Sequence, residues 1–348
     1  MKIGVYVAGA VSNNRTDQWV TGRCEVRMAI NVGFGFALMG HEVDIVCPSF
    51  NDADNIFYRA NLRKHWNTHK EYDVMWTWHT QASSNIYANH KKSIVLVEPS
   101  NKKDALLDIQ SLVPGGKIYT LSKKYIPLLK EQYEMDIHYF PALYPLPCLP
   151  GIIEQDFLPL DFDSKKKDIK VFVFLNSWPS NHLNCDQRIL DVLRRLRDIH
   201  GYKMDVSVMM RPDSDLPNPC KTILAEFTPT ILPSQDMCYL DVINTIRESD
   251  ICMTKGGWCY CGNCAYDIIS LGKLMIYFTE GKNDNNINDI YPLDQWVIRQ
   301  EEGNVKAFEK IDLIISDPSS CYNAMKKELI TYNFPEWSKI VSEIIGDV

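Results

Sequence analysis

Asp250-Ile-Cys-Met-Thr-Lys-Gly-Gly-Trp-Cys-Tyr-Cys-Gly-Asn-Cys-Ala-Tyr-Asp-Ile-Ile-Ser-Leu-Gly-Lys-Leu-Met-Ile-Tyr-Phe278 is the stretch whose reading decides the fold. A short apolar run ends in a loop containing Gly256, Gly257 and Gly262, and a helix-length pattern follows with an acid, Asp267, in its opening turns. Gly272-Lys273 then leads into a second apolar run. The order is strand, loop, helix, strand. Glycines let the backbone approach a ligand closely, and a helix start just beyond them presents unpaired N–H groups suited to a phosphate. Asp267 is placed to hold a sugar hydroxyl of the same ligand.

The same alternation extends outward in both directions. A strand is expected at residues 2 to 8, a helix over 23 to 39 that stops at Gly40, and strands at His41–Val46, Asp73–Trp78, Ser93–Val97 and Lys117–Leu121. Prolines at 141, 145, 147 and 150 forbid a helix or an inner strand and mark an interdomain linker. After them the pattern restarts with a strand at Ile169–Leu175, a helix over 184 to 199 and a strand at Met204–Met210. Alternation of this kind favours parallel sheets covered by helices. The expected fold is α/β, with two doubly wound Rossmann-like domains facing a cleft and ligands at the C-terminal ends of the strands. Residues 1–145 form the first domain, 146–165 the linker, 166–330 the second domain, and 331–348 a final helix returning towards the first.

Length agrees, since 348 residues exceed the usual ceiling for one core. An apolar fraction of 45% and a charged fraction of 23% are those of a globular chain. Apolar runs are only strand-length and no signal-peptide pattern opens the chain, so a soluble cytoplasmic protein without a membrane span is expected. Eleven cysteines, an odd number scattered through strands and loops, argue against a disulfide framework. Most should be reduced and packed as small hydrophobes. The crowded Cys259, Cys261 and Cys264 lack the spacing of a zinc knuckle, and no metal is expected there.

A formal charge of −7 opposes indiscriminate nucleic-acid binding but leaves room for a local basic face. Tyr58 to Lys70 is such a candidate, with Arg59, Arg63 and Lys64 interleaved with aromatics. Its plain alternative is the solvated face of an amphipathic helix.

The order strand, Ser249-Asp250, glycine loop, helix with an acid, Gly272-Lys273, strand resembles the donor-binding segment of GT-B glycosyltransferases. That resemblance implies a nucleoside-diphosphate sugar as co-substrate, a UDP-sugar above others, and a ribose-binding role for Asp267, where Glu is usual. Many retaining members keep a second Glu eight residues earlier; Cys259 stands there instead, which points away from the usual retaining mechanism. The final Phe334–Ile345 segment is similar to the family's closing helix. A closer resemblance, in length and in three short matches, is to the inverting DNA β-glucosyltransferases of T-even bacteriophages. Lys92-Ser-Ile-Val-Leu-Val97 ending in Glu98 resembles their strand before a carboxylate base, the Asp73 strand resembles its neighbour, and Gln187-Arg188 resembles a phosphate-binding pair.

Sugar transfer to a hydroxyl needs a base near the acceptor oxygen and positive charge or N–H donors on the departing diphosphate. Glu98 is the expected base and His79, just past Trp78, its competitor. Arg188 and Lys255 are the expected cations, supported by Ser177, Gly256, Gly257 and Gly262, so neither metal nor further cofactor is required. The acceptor implied by the closer resemblance is a 5-hydroxymethylated pyrimidine in double-stranded phage DNA, reached by base flipping, with Arg59, Arg63 and Lys64 holding the DNA. A glycan, lipid-linked or small-molecule acceptor stays open, as does a non-catalytic sugar-nucleotide or DNA-binding protein.

Overall fold

Seven parallel strands make the first sheet and six the second, and in each the chain starts in the middle and works outward twice. The structure, a computed structural model, describes residues 1–6, 24–46, 62–65, 71–78, 90–96, 118–121, 125–141, 158–175, 187–210, 218–233, 239–255, 262–279, 295–299, 302–329 and 334–346. Two units are distinguished, Met1–Gln155 with Ile330–Val348, and Asp156–Leu329.

The first unit contains β1 (Lys2–Tyr6), α1 (Cys24–Leu38), β2 (Glu42–Val46), β3 (Leu62–His65), β4 (Val74–Trp78), β5 (Lys92–Leu96), β6 (Ile118–Thr120), α2 (Tyr125–Tyr133) and β7 (Ile137–Tyr139). Its sheet order is β3-β2-β1-β4-β5-β6-β7. The strands read as near-continuous apolar runs because helices cover a parallel sheet on both faces. Ile3, Val5, Val43, Val74, Trp76 and Ile94 are accordingly excluded from solvent. Helix α1 stops where the sequence says it should: Gly40 takes φ +86°, and His41 N–H donates to Phe36 O at 3.1 Å across the reversed turn.

The second unit contains β8 (Asp168–Phe174), α3 (Gln187–Asp198), β9 (Lys203–Met210), α4 (Asn218–Phe227), β10 (Thr230–Pro233), α5 (Tyr239–Glu248), β11 (Ile251–Lys255), α6 (Gly262–Ser270), β12 (Leu274–Thr279), β13 (Val297–Arg299), α7 (Gly303–Ser316) and α8 (Pro318–Leu329). Its order is β10-β9-β8-β11-β12-β13. Both sheets thus follow the order of doubly wound nucleotide-binding folds, with the reversal between β1 and β4 in one and between β8 and β11 in the other.

The two reversals are pinned alike. Asp73, just before β4, accepts Lys2 N–H at 2.8 Å and the Lys91 ammonium at 2.7 Å. Asp250, just before β11, accepts Lys170 N–H at 2.8 Å and the Lys166 ammonium at 2.8 Å. In each unit an acid at the N-terminal end of the fourth strand ties it to the first, at the sheet edge opposite the expected ligand end.

A final helix, α9 (Phe334–Ile345), belongs to the first unit. Trp337 is fully buried against Phe36 and Phe140, with ring centroids 5.8 and 6.4 Å away, and donates its indole N–H to Pro141 O at 2.9 Å. Lys92 caps the other end of α9 through Ile344 O. The segment read from its prolines as linker is structured at both described ends: Phe140 is buried in the first unit, and Leu158 and Asp161 are hydrogen-bonded into the second.

Candidate functional site

In a doubly wound sheet ligands gather outside the carboxyl ends of the strands, at the reversal. In the second unit that place is the end of β11, where position 255 stands opposite Phe278 of β12. Phe278 in turn stands opposite Ile298 of β13. Arg188, in the first turn of α3, lies along this row: its guanidinium is 5.7 Å from the Phe278 ring centroid and donates through Nη1 to Ile298 O at 3.1 Å. Only 8% of Arg188 is exposed. A guanidinium stacked on a ring and tied to a carbonyl is a cation held in place at the strand ends.

Helix α6 begins at Gly262, in the segment after β11. From Cys264 to Ile269 every residue of this short helix is buried. Asp267 is the exception in chemistry, a carboxylic acid only 1% exposed. At 1.5 Å per residue it stands about 7.5 Å along α6 from its start. A carboxyl group at that depth is held by hydrogen-bonding or charged neighbours, and Asp267 has such a partner.

The structure brings Arg188 and the Lys255 position together across Phe278. For Lys255 and Gly262 the backbone alone is described, in β11 and at the head of α6. Ser177, Gly256 and Gly257 lie outside the described residues, as do Glu98, His79 and Arg59. In sequence, His79 follows β4 directly and Glu98 follows β5 by one residue. Arg63 and Lys64 fall in β3, so the amphipathic-helix reading of this part of the basic stretch is corrected. Among the described residues β3 is an edge strand, paired with β2.

Residues that the sequence did not single out sit beside this site. Arg299 ends β13 and is 3% exposed, and its N–H donates to Glu302 at 3.2 Å. Glu302 in turn accepts two contacts from the Lys310 ammonium at 2.6 and 2.7 Å, and Lys310 also reaches Val297 O at 2.7 Å. The turn into α7 is thereby fixed. Val297–Arg299 is only three residues long, too short to announce a strand end in sequence.

Among the described residues no group of three His, Cys, Asp or Glu side chains is arranged to hold a metal. Cys252, Cys264 and Cys321 are free and buried, and burial pushes the Cys252 and Cys321 thiols up to about 12. Cys220, by contrast, is disulfide-bonded. None of the helices among the described residues is long and apolar enough to cross a membrane.

No protein-family model matches the sequence, and no curated protein does. Solved structures do match. Anabaena HepE in complex with UDP-glucose aligns over 100% of both chains with a TM-score of 0.61 at 9% identity. The Escherichia coli trehalose-6-phosphate structure bound with UDP-2-fluoro glucose aligns over 100% of this chain and 99% of that one, again with a TM-score of 0.61 and 9% identity. A sucrose-phosphate synthase from Thermosynechococcus elongatus aligns over 99% and 98%, with a TM-score of 0.57 and 10% identity. The chain has the GT-B fold. At such identities the likeness speaks for the fold, and the chemistry of this GT-B chain rests on its own residues.

Proposed function

We propose that the protein is a glycosyltransferase that moves a sugar from a nucleoside diphosphate, a UDP-sugar, to a hydroxyl acceptor. The observation that carries this reading is the buried Arg188, fixed across Phe278 and Ile298 at the C-terminal ends of β12 and β13, beside the reversal strand β11, in the unit whose helix α6 buries Asp267. HepE, of the same fold, was solved with UDP-glucose, which supports uridine as the nucleoside.

In the proposed reaction the acceptor hydroxyl gives its proton to Glu98 as its oxygen attacks the anomeric carbon. The bond from that carbon to the diphosphate oxygen breaks, and the electron pair leaves with the nucleoside diphosphate. Arg188 and Lys255, with the N–H groups of Gly256 and Gly257, meet the developing charge, while Asp267 accepts hydrogen bonds from the ribose. A positioned base is worth about 10²- to 10⁴-fold in rate. Cys259, standing where many retaining enzymes keep an acid, supports a single displacement with inversion.

The acceptor carried forward from the sequence is a hydroxymethylated pyrimidine in DNA, supported by the Lys92 to Glu98 resemblance. A DNA acceptor predicts that binding falls with salt by a log-log slope of about −0.9 per phosphate contacted. Flat binding between low and moderate salt sends the search to glycan and small-molecule acceptors. The enzyme reading is tested without any acceptor. UDP release from UDP-sugars in water should be slow and measurable, and should vanish in Asp267→Ala. Absence of release with every nucleoside-diphosphate sugar overturns it.

A further inference from the structure

Helix α6 is fastened at the end remote from the glycine loop. Lys273 N–H donates to Ile268 O and Gly272 N–H to Ile269 O, both at 3.0 Å, closing the helix around a Gly272 with φ +71°. Carbonyls left over at that end are taken by the strap Leu158–Asp161, through which the chain comes into the second unit. Leu158 N–H donates to Ser270 O at 3.0 Å and Asp161 N–H to Gly272 O at 2.6 Å. From α8, the Tyr322 hydroxyl lies 3.0 Å from Ile269 O and 2.5 Å from Leu158 O. Lys273, only 6% exposed, stretches its ammonium 2.6 Å to Asp161 Oδ2.

This pair is lopsided. The Lys273 side chain is 8% exposed and that of Asp161 79%, so a buried cation reaches outward to a solvated acid. The hydrogen bond from Lys273, with its charge, holds the Asp161 carboxyl below its usual range. Burying an ammonium costs more than burying a methyl group, and a well-packed apolar residue in its place would often stabilise as much. What the pair adds is direction. It fixes the strap along the helix axis, and a cation at a helix C-terminus is favoured by the helix dipole.

Asp267 feels this placement closely. Its carbonyl accepts Leu271 N–H and the Ser270 hydroxyl, both at 3.0 Å, so its main chain lies within one turn of the fastened end. We propose that Asp161, Lys273 and Tyr322 are positioning residues for the donor pocket, setting where α6 stands along its axis and therefore where the Asp267 carboxylate meets a ribose. The proposal rests on the donor reading of Asp267. Hydrogen bonds hold to about 2.7–3.2 Å and weaken steeply once the donor angle falls below about 120°, and a misplacement of about 1 Å in a functional group can cost about 10²-fold. A loosened clasp should thus be felt at the ribose hydroxyls.

The test compares two probes by isothermal titration, UDP and 2′,3′-dideoxy-UDP, which lacks the hydroxyls that Asp267 would hold. The wild-type protein should prefer UDP by about tenfold or more, which is about 1.4 kcal/mol. In Lys273→Met and Tyr322→Phe that preference should fall to within about threefold, with dideoxy-UDP affinity unchanged within about twofold, the size of effect expected of one lost hydrogen bond. Asp161→Asn, which keeps the side-chain shape, gives the same readout should Lys273→Met fail to fold. Equal weakening of both nucleotides, or no weakening, overturns the positioning role and leaves the donor reading standing. A wild-type protein that binds both nucleotides equally removes the donor role of Asp267, and this proposal with it.

Discussion

Replacing Gly272 with alanine should cost far more than the same change at other left-handed glycines of the same unit. Gly272 has φ +71°, Gly201 +66° and Gly303 +71°, so each alanine takes a backbone penalty of about 1 kcal/mol. At Gly201 and Gly303 an added methyl meets nothing within 4 Å. At Gly272 it overlaps the carbonyl oxygen of Pro159 outright, with the carbonyl carbon at 3.1 Å and Leu158 Cβ at 3.3 Å. Pro159 is backbone, so the strap itself must move, and the hydrogen bonds from Leu158 and Asp161 go with it. At about 1 kcal/mol each they bring the loss to about 3 kcal/mol, before any exposure of the Lys273 charge. For a unit of this size about 1 kcal/mol shifts the midpoint by about 2–4 °C, so calorimetry should show a fall of about 6–12 °C for Gly272→Ala against about 2–4 °C for Gly201→Ala and Gly303→Ala. Equal shifts for the three variants would refute the strap argument.

Burial and the nearby N-terminal ammonium lower the pKa of His41 from its usual 6.5. The unfolded chain therefore takes up a proton that the folded one resists, so stability should fall as pH drops below about 6.5, and urea titrations across that range should be flatter in His41→Gln. Trp337→Phe keeps most of the ring contact but strands Pro141 O, so about 1–2 kcal/mol should be lost in the first unit, and Trp337→Ala should lose about 3–5 kcal/mol by denaturant unfolding. Cys252 and Cys321, with thiols raised to about 12, should resist iodoacetamide at pH 8 until the protein is unfolded, as mass spectrometry can show.

The elements that the sequence announces are those with enough residues to carry a period or a stop. Helix α1 shows its apolar repeat and ends at a glycine that must turn left-handed, and β11, α6 and β12 are separated by glycines at each change of direction. Leu62–His65, Ile137–Tyr139 and Val297–Arg299 are strands of four, three and three residues, made by pairing with a neighbour more than by their own composition. Asp250 looked like part of the ligand segment because it adjoins it in sequence. It lies instead at the far end of β11, holding Lys170 N–H as Asp73 holds Lys2 N–H. Arg188 is a cation that the sequence offers for the site, whereas its anchoring on Ile298 was not legible, because that partner is 110 residues away. The Lys273–Asp161 pair is hidden for the same reason, with 112 residues between its ends.

Titration of the protein with UDP-glucose, beside Asp267→Asn, tests the central claim most directly. The account predicts saturable binding that stabilises the protein by about 2.7 kcal/mol at 100 times the Kd, and a loss of affinity of tenfold or more in the variant, about 1.4 kcal/mol. Failure of UDP, UDP-glucose and every other nucleoside-diphosphate sugar to bind, or binding undiminished in Asp267→Asn, would contradict it.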